Sequence, residues 1–129
     1  MKRIITFLLL SLCLSSCNKT SPTNPLEGTL WMRESYNYTS KYTVTYYLEF
    51  SKDKVKRWNT ENNYGGTGAY SVSGSNISFS NFNVQPSILE DYTHQYTSGT
   101  FSNTSMTVEY SYKVKDKIHT NTETYTKKL

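Results

Sequence analysis

The stretch Tyr42-Thr43-Val44-Thr45-Tyr46-Tyr47-Leu48-Glu49-Phe50 decides the fold. Tyr42, Val44, Tyr46, Leu48 and Phe50 share one parity, and Thr43, Thr45, Tyr47 and Glu49 share the other. In an extended chain successive side chains point to opposite faces, so the first set lines a buried face and the second a wetter one. β-Branched and aromatic residues fill the segment, as pleated, half-buried surfaces require. It reads as a half-buried antiparallel strand.

Similar signals recur on either side. Residues 51–53 turn the chain into a strand over 54–59, and residues 29–38 form the strand upstream. Residues 60–68 (TENNYGGTG) read as a glycine-rich loop. Residues 69–72 and 77–82 read as a hairpin closed by Ser73-Gly74-Ser75-Asn76. Residues 83–91 (NVQPSILED) read as a loop with room for one helical turn after Pro86. The last third reads as a meander over 92–101, 105–114 and 118–126. Composition agrees: there are 12 tyrosines, Ala69 is the single alanine, and beyond residue 50 leucine occurs at Leu89 and Leu129 alone. This is strand material and poor helix material. Short connections leave no helix to cross between parallel strands. An open sheet would expose two edges, and closure removes them. The expected fold is therefore all-β, an eight-stranded antiparallel up-and-down barrel. A two-sheet sandwich competes with it, but needs a longer Greek-key connection than any segment here apart from 83–91.

The N-terminus carries a different signal. Met1-Lys2-Arg3 is positive, and residues 4–14 are apolar apart from Thr6 and Ser11. Small residues follow, which makes a secretory signal peptide, too short for a spanning helix. Leu14-Ser15-Ser16-Cys17 resembles the lipobox of bacterial lipoproteins. That resemblance implies cleavage before Cys17 and acylation of its thiol and amine by chains such as palmitate. Cys13 leaves with residues 1–16, and lipid occupies Cys17, so no disulfide is expected despite an oxidising compartment. Each buried methylene adds ~0.8 kcal/mol of membrane affinity. Asn18 does not resemble the aspartate that retains some lipoproteins at the inner membrane. The expected location is thus the bacterial cell envelope, lipid-anchored at the outer membrane. Residues 17–25 read as the lipidated cysteine and a polar tether with two prolines, and residues 26–129 as the barrel domain.

Charge and motifs exclude several functions. The formal charge of +4 falls to about +2 once Lys2 and Arg3 leave. Lys52, Lys54, Lys56 and Arg57 are interrupted by Asp53 and alternate like a solvated strand face, so nucleic acid is not an expected partner. His94 and His119 are the only histidines. His94 lies three residues after Asp91, on the opposite face of a strand, so neither a metal nor a cofactor is expected and both histidines read as surface residues. No Gly-x-Ser-x-Gly elbow occurs, and Gly65-Gly66-Thr67-Gly68 lacks the lysine and helix of a phosphate loop. Glu49 and Glu109 are the carboxylates considered as an interior acid–base pair, with the solvent face as their default. No enzyme is expected.

Aromatic residues are what remains. Trp31, Tyr46, Trp58, Tyr70, Tyr96 and Tyr110 fall on strands and are the candidate ligand-binding residues. An apolar ring with a polar tip suits stacking on a sugar or enclosing an amphiphile. An eight-stranded barrel is just wide enough to be filled by side chains or to hold one small ligand, and both outcomes stay open here. Lys54, Lys56 and Trp58 share a strand face and offer a patch for a protein partner.

The order Leu26-Glu27-Gly28-Thr29-Leu30-Trp31, with Gly68-Ala69-Tyr70-Ser71-Val72 leading to Ile77-Ser78-Phe79, resembles the lipocalin-like domains of small bacterial lipoproteins. Lipocalins open strand one with Gly-x-Trp. Here Trp31 comes one place later, so either a bulge turns it inward or Leu30 takes the inward place. Where that family has an arginine near the last strand, Lys127 and Lys128 are the nearest cations. The resemblance implies a membrane-anchored barrel that binds a small apolar ligand or glycan. The alternative is a filled barrel acting as a protein-interaction or inhibitor module of the envelope.

Overall fold

The computed structural model describes residues 23–61, 65–86 and 91–129. The expected signal peptide, Cys17 and the helical turn expected after Pro86 lie outside the described residues. Eight antiparallel strands close into an up-and-down barrel in chain order. They are β1 (Leu30–Asn37), β2 (Tyr42–Phe50), β3 (Lys54–Asn59), β4 (Gly66–Ser73), β5 (Asn76–Val84), β6 (His94–Phe101), β7 (Ser105–Val114) and β8 (Lys117–Lys127). The alternation of β2 is realised as read: Val44, Leu48 and Phe50 are buried inside, and Glu49 is exposed.

Three boundaries move for physical reasons. Gly66 and Gly68 belong to β4 rather than to a loop. Gly68 faces inward, where an added Cβ would overlap Cβ of Phe82 on β5 and lie 2.6 Å from its Cα. Its missing side chain lets the Phe82 ring fold across β4 into the core. Asn83 and Val84, read as loop, extend β5 beyond a bulge between Ser78 and Phe82. Asn81 takes φ +51° at that bulge, which asparagine tolerates. The bulge shifts the inward parity from Ile77 to Phe82 and Val84, all buried. At the N-terminal side, Asn24, the penultimate residue of the stretch read as a tether, is hydrogen-bonded to the barrel. Its Nδ2 donates to the Lys52 carbonyl at 3.0 Å and to Oη of Tyr70 at 2.6 Å.

Trp31 faces inward without a bulge, because β1 pairs regularly with β2 from Leu30↔Glu49 to Asn37↔Tyr42. Gly28, at φ +76°, lies in the turn before the strand, so the offset is absorbed there. Trp31 is buried, its Nε1 donates to Oγ1 of Thr29 at 2.9 Å, and Nζ of Lys127 lies 5.9 Å from its ring centroid.

Closure is brief. The β1–β8 ladder runs over Trp31↔Lys127 and Met32↔Thr126, extended by Leu30 N–H to the Leu129 carbonyl at 3.1 Å. Beyond Met32 the two strands carry no further ladder pair among the described residues. The end holding the β2–β3, β4–β5 and β6–β7 turns is packed solid by Leu26, Trp31, Phe50, Val55, Tyr70, Ile77, Met106 and their neighbours. Among the described residues, the opposite end, where the β1–β2, β3–β4, β5–β6 and β7–β8 connections lie, carries no such apolar packing.

Replacing Gly68 with alanine forces β5 away from β4 and is expected to cost about 1–3 kcal/mol. Urea unfolding of Gly68→Ala, read by a lowered midpoint at unchanged m-value, checks this.

Candidate functional site

Inward positions at the open half, Val44 apart, carry polar and aromatic side chains in place of aliphatic ones. Parity with Val55 turns Arg57 inward on β3, and parity with Tyr125 does the same for Glu123 on β8. Both are buried. This corrects the reading of Arg57 as part of a solvated lysine-rich face: it has the opposite parity to Lys54 and Lys56, which are exposed. Glu49 and Glu109 are exposed on the outer face, and the interior carboxylate is Glu123.

Every oxygen of Glu123 is engaged. Oε1 accepts from Nη1 of Arg33 at 3.1 Å and from Nη2 of Arg57 at 3.2 Å. Oε2 accepts from Oη of Tyr96 at 2.8 Å and of Tyr125 at 2.7 Å. Nε of Arg57 donates to Oη of Tyr125 at 3.2 Å. Both guanidinium groups also pack on the ring of Tyr46, with Cζ at 5.3 Å for Arg33 and 4.5 Å for Arg57. Burial alone would raise the pKa of Glu123, but Arg57, the Tyr125 hydroxyl, Arg33 and the Tyr96 hydroxyl together hold it below the usual carboxylate range. Burial also pushes the Tyr96 and Tyr125 hydroxyls up, so both stay protonated donors at neutral pH.

This cluster is the floor of an open cup of about 860 Å³. A run of tilted and stacked rings rises from the core into one wall of the cup. Phe82 lies 4.8 Å from Tyr96, Tyr96 lies 5.3 Å from Tyr110, and Tyr110 lies 4.3 Å from His94. Tyr112 continues the run at 5.3 Å from His94, and Tyr92 lies 5.0 Å from Tyr112. Asn59, Asn121, Ser35 and Val44 line the other sides. Tyr36, Tyr38 and Tyr42 stand exposed at the rim.

The predicted binding aromatics separate accordingly. Tyr46 and Tyr110 line the cup. Tyr96 lies beneath it and reaches it through Glu123. Trp31 and Tyr70 are buried in the solid half, where Tyr70 donates to the Ser51 carbonyl at 2.6 Å. Trp58 points outward, stacked on Tyr47 at 5.2 Å with Nζ of Lys56 5.4 Å from its ring. His94 is half-buried in the cup wall rather than on the surface, while exposed His119 stacks on Tyr112 at 5.2 Å. Arg33, Arg57 and Glu123 escaped the sequence reading. Two-residue parity with Val55 and Tyr125 was the available signal, and charges of opposite sign at inward positions imply pairing. Among the described residues, no group of three His, Cys, Asp or Glu side chains converges as a metal site would need.

Comparison of the chain with protein-family models, with curated proteins and with solved structures finds no match, so the site is read from its geometry alone.

Because the folded pKa of Glu123 is depressed, its stabilisation is present at neutral pH and is lost as pH falls through the folded value. Stability is expected to decline below about pH 4. Glu123→Gln leaves Arg57 buried without its counter-charge. It is expected to cost about 3 kcal/mol at neutral pH and to remove its share of the acid decline. Urea titrations of both proteins across that range read the two effects together.

Proposed function

We propose that this chain is a lipid-anchored module of the bacterial cell envelope whose cup binds a small glycan. The observation that carries the reading is the cup itself: open, lined on one side by aromatic rings, and floored by charges and hydroxyls. Its volume lies within the range of small-ligand sites, which run roughly from 300 to 1,000 Å³. Aromatic faces stack on the C–H faces of sugars, while the amide of Asn121 and the hydroxyl of Ser35 suit sugar hydroxyls. A purely apolar ligand matches less well, because it would strip water from Arg33 without replacing it. Glu123, saturated by donors and ionised, is built to hold arginines and not to shuttle protons, which supports binding over catalysis.

The lipobox and the lipocalin-like order of the sequence support the envelope location. Asn24 enters beside the β2–β3 turn, at the solid end. The outer face supports a second reading, as a partner-binding module. There Tyr47 and Trp58 stack, flanked by Lys56 and by Nζ of Lys128 at 5.8 Å from the Tyr47 ring.

Native mass spectrometry of the full chain, extracted from envelope membranes in a non-ionic detergent, tests the first reading. An added mass in the saccharide range, lost on denaturation and weakened about tenfold by Tyr110→Ala, is the expected result. A bare mass with no binding to a glycan array would remove the glycan reading and leave the Trp58 face as the working surface.

A further inference from the structure

The floor of the cup is electrically unbalanced. Arg33 and Arg57 share the single carboxylate of Glu123, so the cluster carries one excess positive charge. The two guanidinium groups do not share that excess equally. Arg57 is 3% exposed and spends Nε on Tyr125 and Nη2 on Glu123. Arg33 is 28% exposed, spends Nη1 on Glu123, and lines the cup. Its other N–H groups are the strongest donors available to a cup ligand, and the Tyr46 ring holds the planar group in place from the side.

Among the described residues lining the cup, no other charged or titratable group cancels this excess at the floor. Glu61 is exposed at the rim, where water and salt screen it. His94, Tyr110 and Tyr112 form the wall, and Asn59 and Asn121 are neutral. Glu123 is occupied on both oxygens and offers little repulsion that Arg57 does not already offset.

We infer that the cup selects ligands bearing a single carboxylate, seated on Arg33, so that its glycan would be an acidic, uronic-acid-type sugar. This rests on the glycan reading and narrows it. A carboxylate matches the guanidinium fork in shape and neutralises one unit of charge. A dianionic phosphate would over-neutralise the floor, and a neutral sugar would leave the excess uncompensated. The same head-group chemistry occurs on a fatty acid, and the test separates the two sources.

Calorimetric titration of the full chain in non-ionic detergent compares cellobiouronic acid, cellobiose and octanoate, with Arg33→Gln and Arg33→Lys as variants whose thermal melts confirm folding. Cellobiouronic acid is expected to bind at least about tenfold tighter than cellobiose, the worth of one charge-assisted contact. That preference should vanish in Arg33→Gln, persist in part in Arg33→Lys, and shrink as salt rises. Octanoate binding that depends on Arg33, with neither saccharide bound, would keep the carboxylate seat and overturn the glycan reading. Equal binding of the two saccharides would overturn the carboxylate seat and keep the glycan reading. An equal loss for both saccharides in Arg33→Gln would show that Arg33 only shapes the cup, and it too overturns the inference. Binding of none of the three overturns both.

Discussion

The carboxylate of Glu123 is the point on which the inside of this barrel depends. It gathers one side chain from each of β1, β3, β6 and β8, namely Arg33, Arg57, Tyr96 and Tyr125. A buried ion pair is expensive unless every lone pair and proton is met, and here the tyrosine hydroxyls meet what the arginines leave. The cluster divides the interior. Below it lies close-packed apolar fill; above it, such fill would strand Arg33 and Glu123 without water. One cluster thus closes the core and floors the cup.

The same cluster mends the seam of the barrel. The β1–β8 ladder stops at Met32↔Thr126, and beyond it the Arg33–Glu123 ion pair bridges the two strands. Glycine and bulge positions do the complementary work on the far side. Gly68 lets Phe82 cross into the core, and the bulge at Asn81 sets the parity that puts it there. Phe82 then starts the run of rings that rises through Tyr96 and Tyr110 to the wall of the cup. Core packing and the aromatic wall are one continuous structure, so the binding surface is held by the elements that hold the fold.

Much of this was legible in the chain. The alternation over residues 42–50 named the inner face of β2 correctly, and the order of eight short strands led to closure. What escaped lay where pairing overrode local pattern. Arg57 looked like one more cation in a lysine-rich strand, because a buried charge is invisible until its partner, sixty-six residues away, is placed beside it. Glu123 sits among threonines and asparagine on a strand with a polar inner face. The Asn81 bulge was unreadable because asparagine is common in ordinary strands and turns alike. Among the candidate aromatics, residue type did not separate Tyr46 and Tyr110, which line the cup, from Trp31 and Tyr70, which fill the core, because depth along the barrel decides between the two. Strand parity carries no information on depth.

A double-mutant cycle between Arg57 and Glu123 tests this account most directly. Unfolding free energies would be measured for Arg57→Met, Glu123→Leu and the pair. If the buried pair is the divider described above, each single change costs about 3–5 kcal/mol, because it leaves the other charge uncompensated. The double change then recovers much of that loss, giving a coupling of at least about 2 kcal/mol. Additive costs with no coupling would mean that the two charges do not meet inside the barrel, and would contradict the floor of the cup as described.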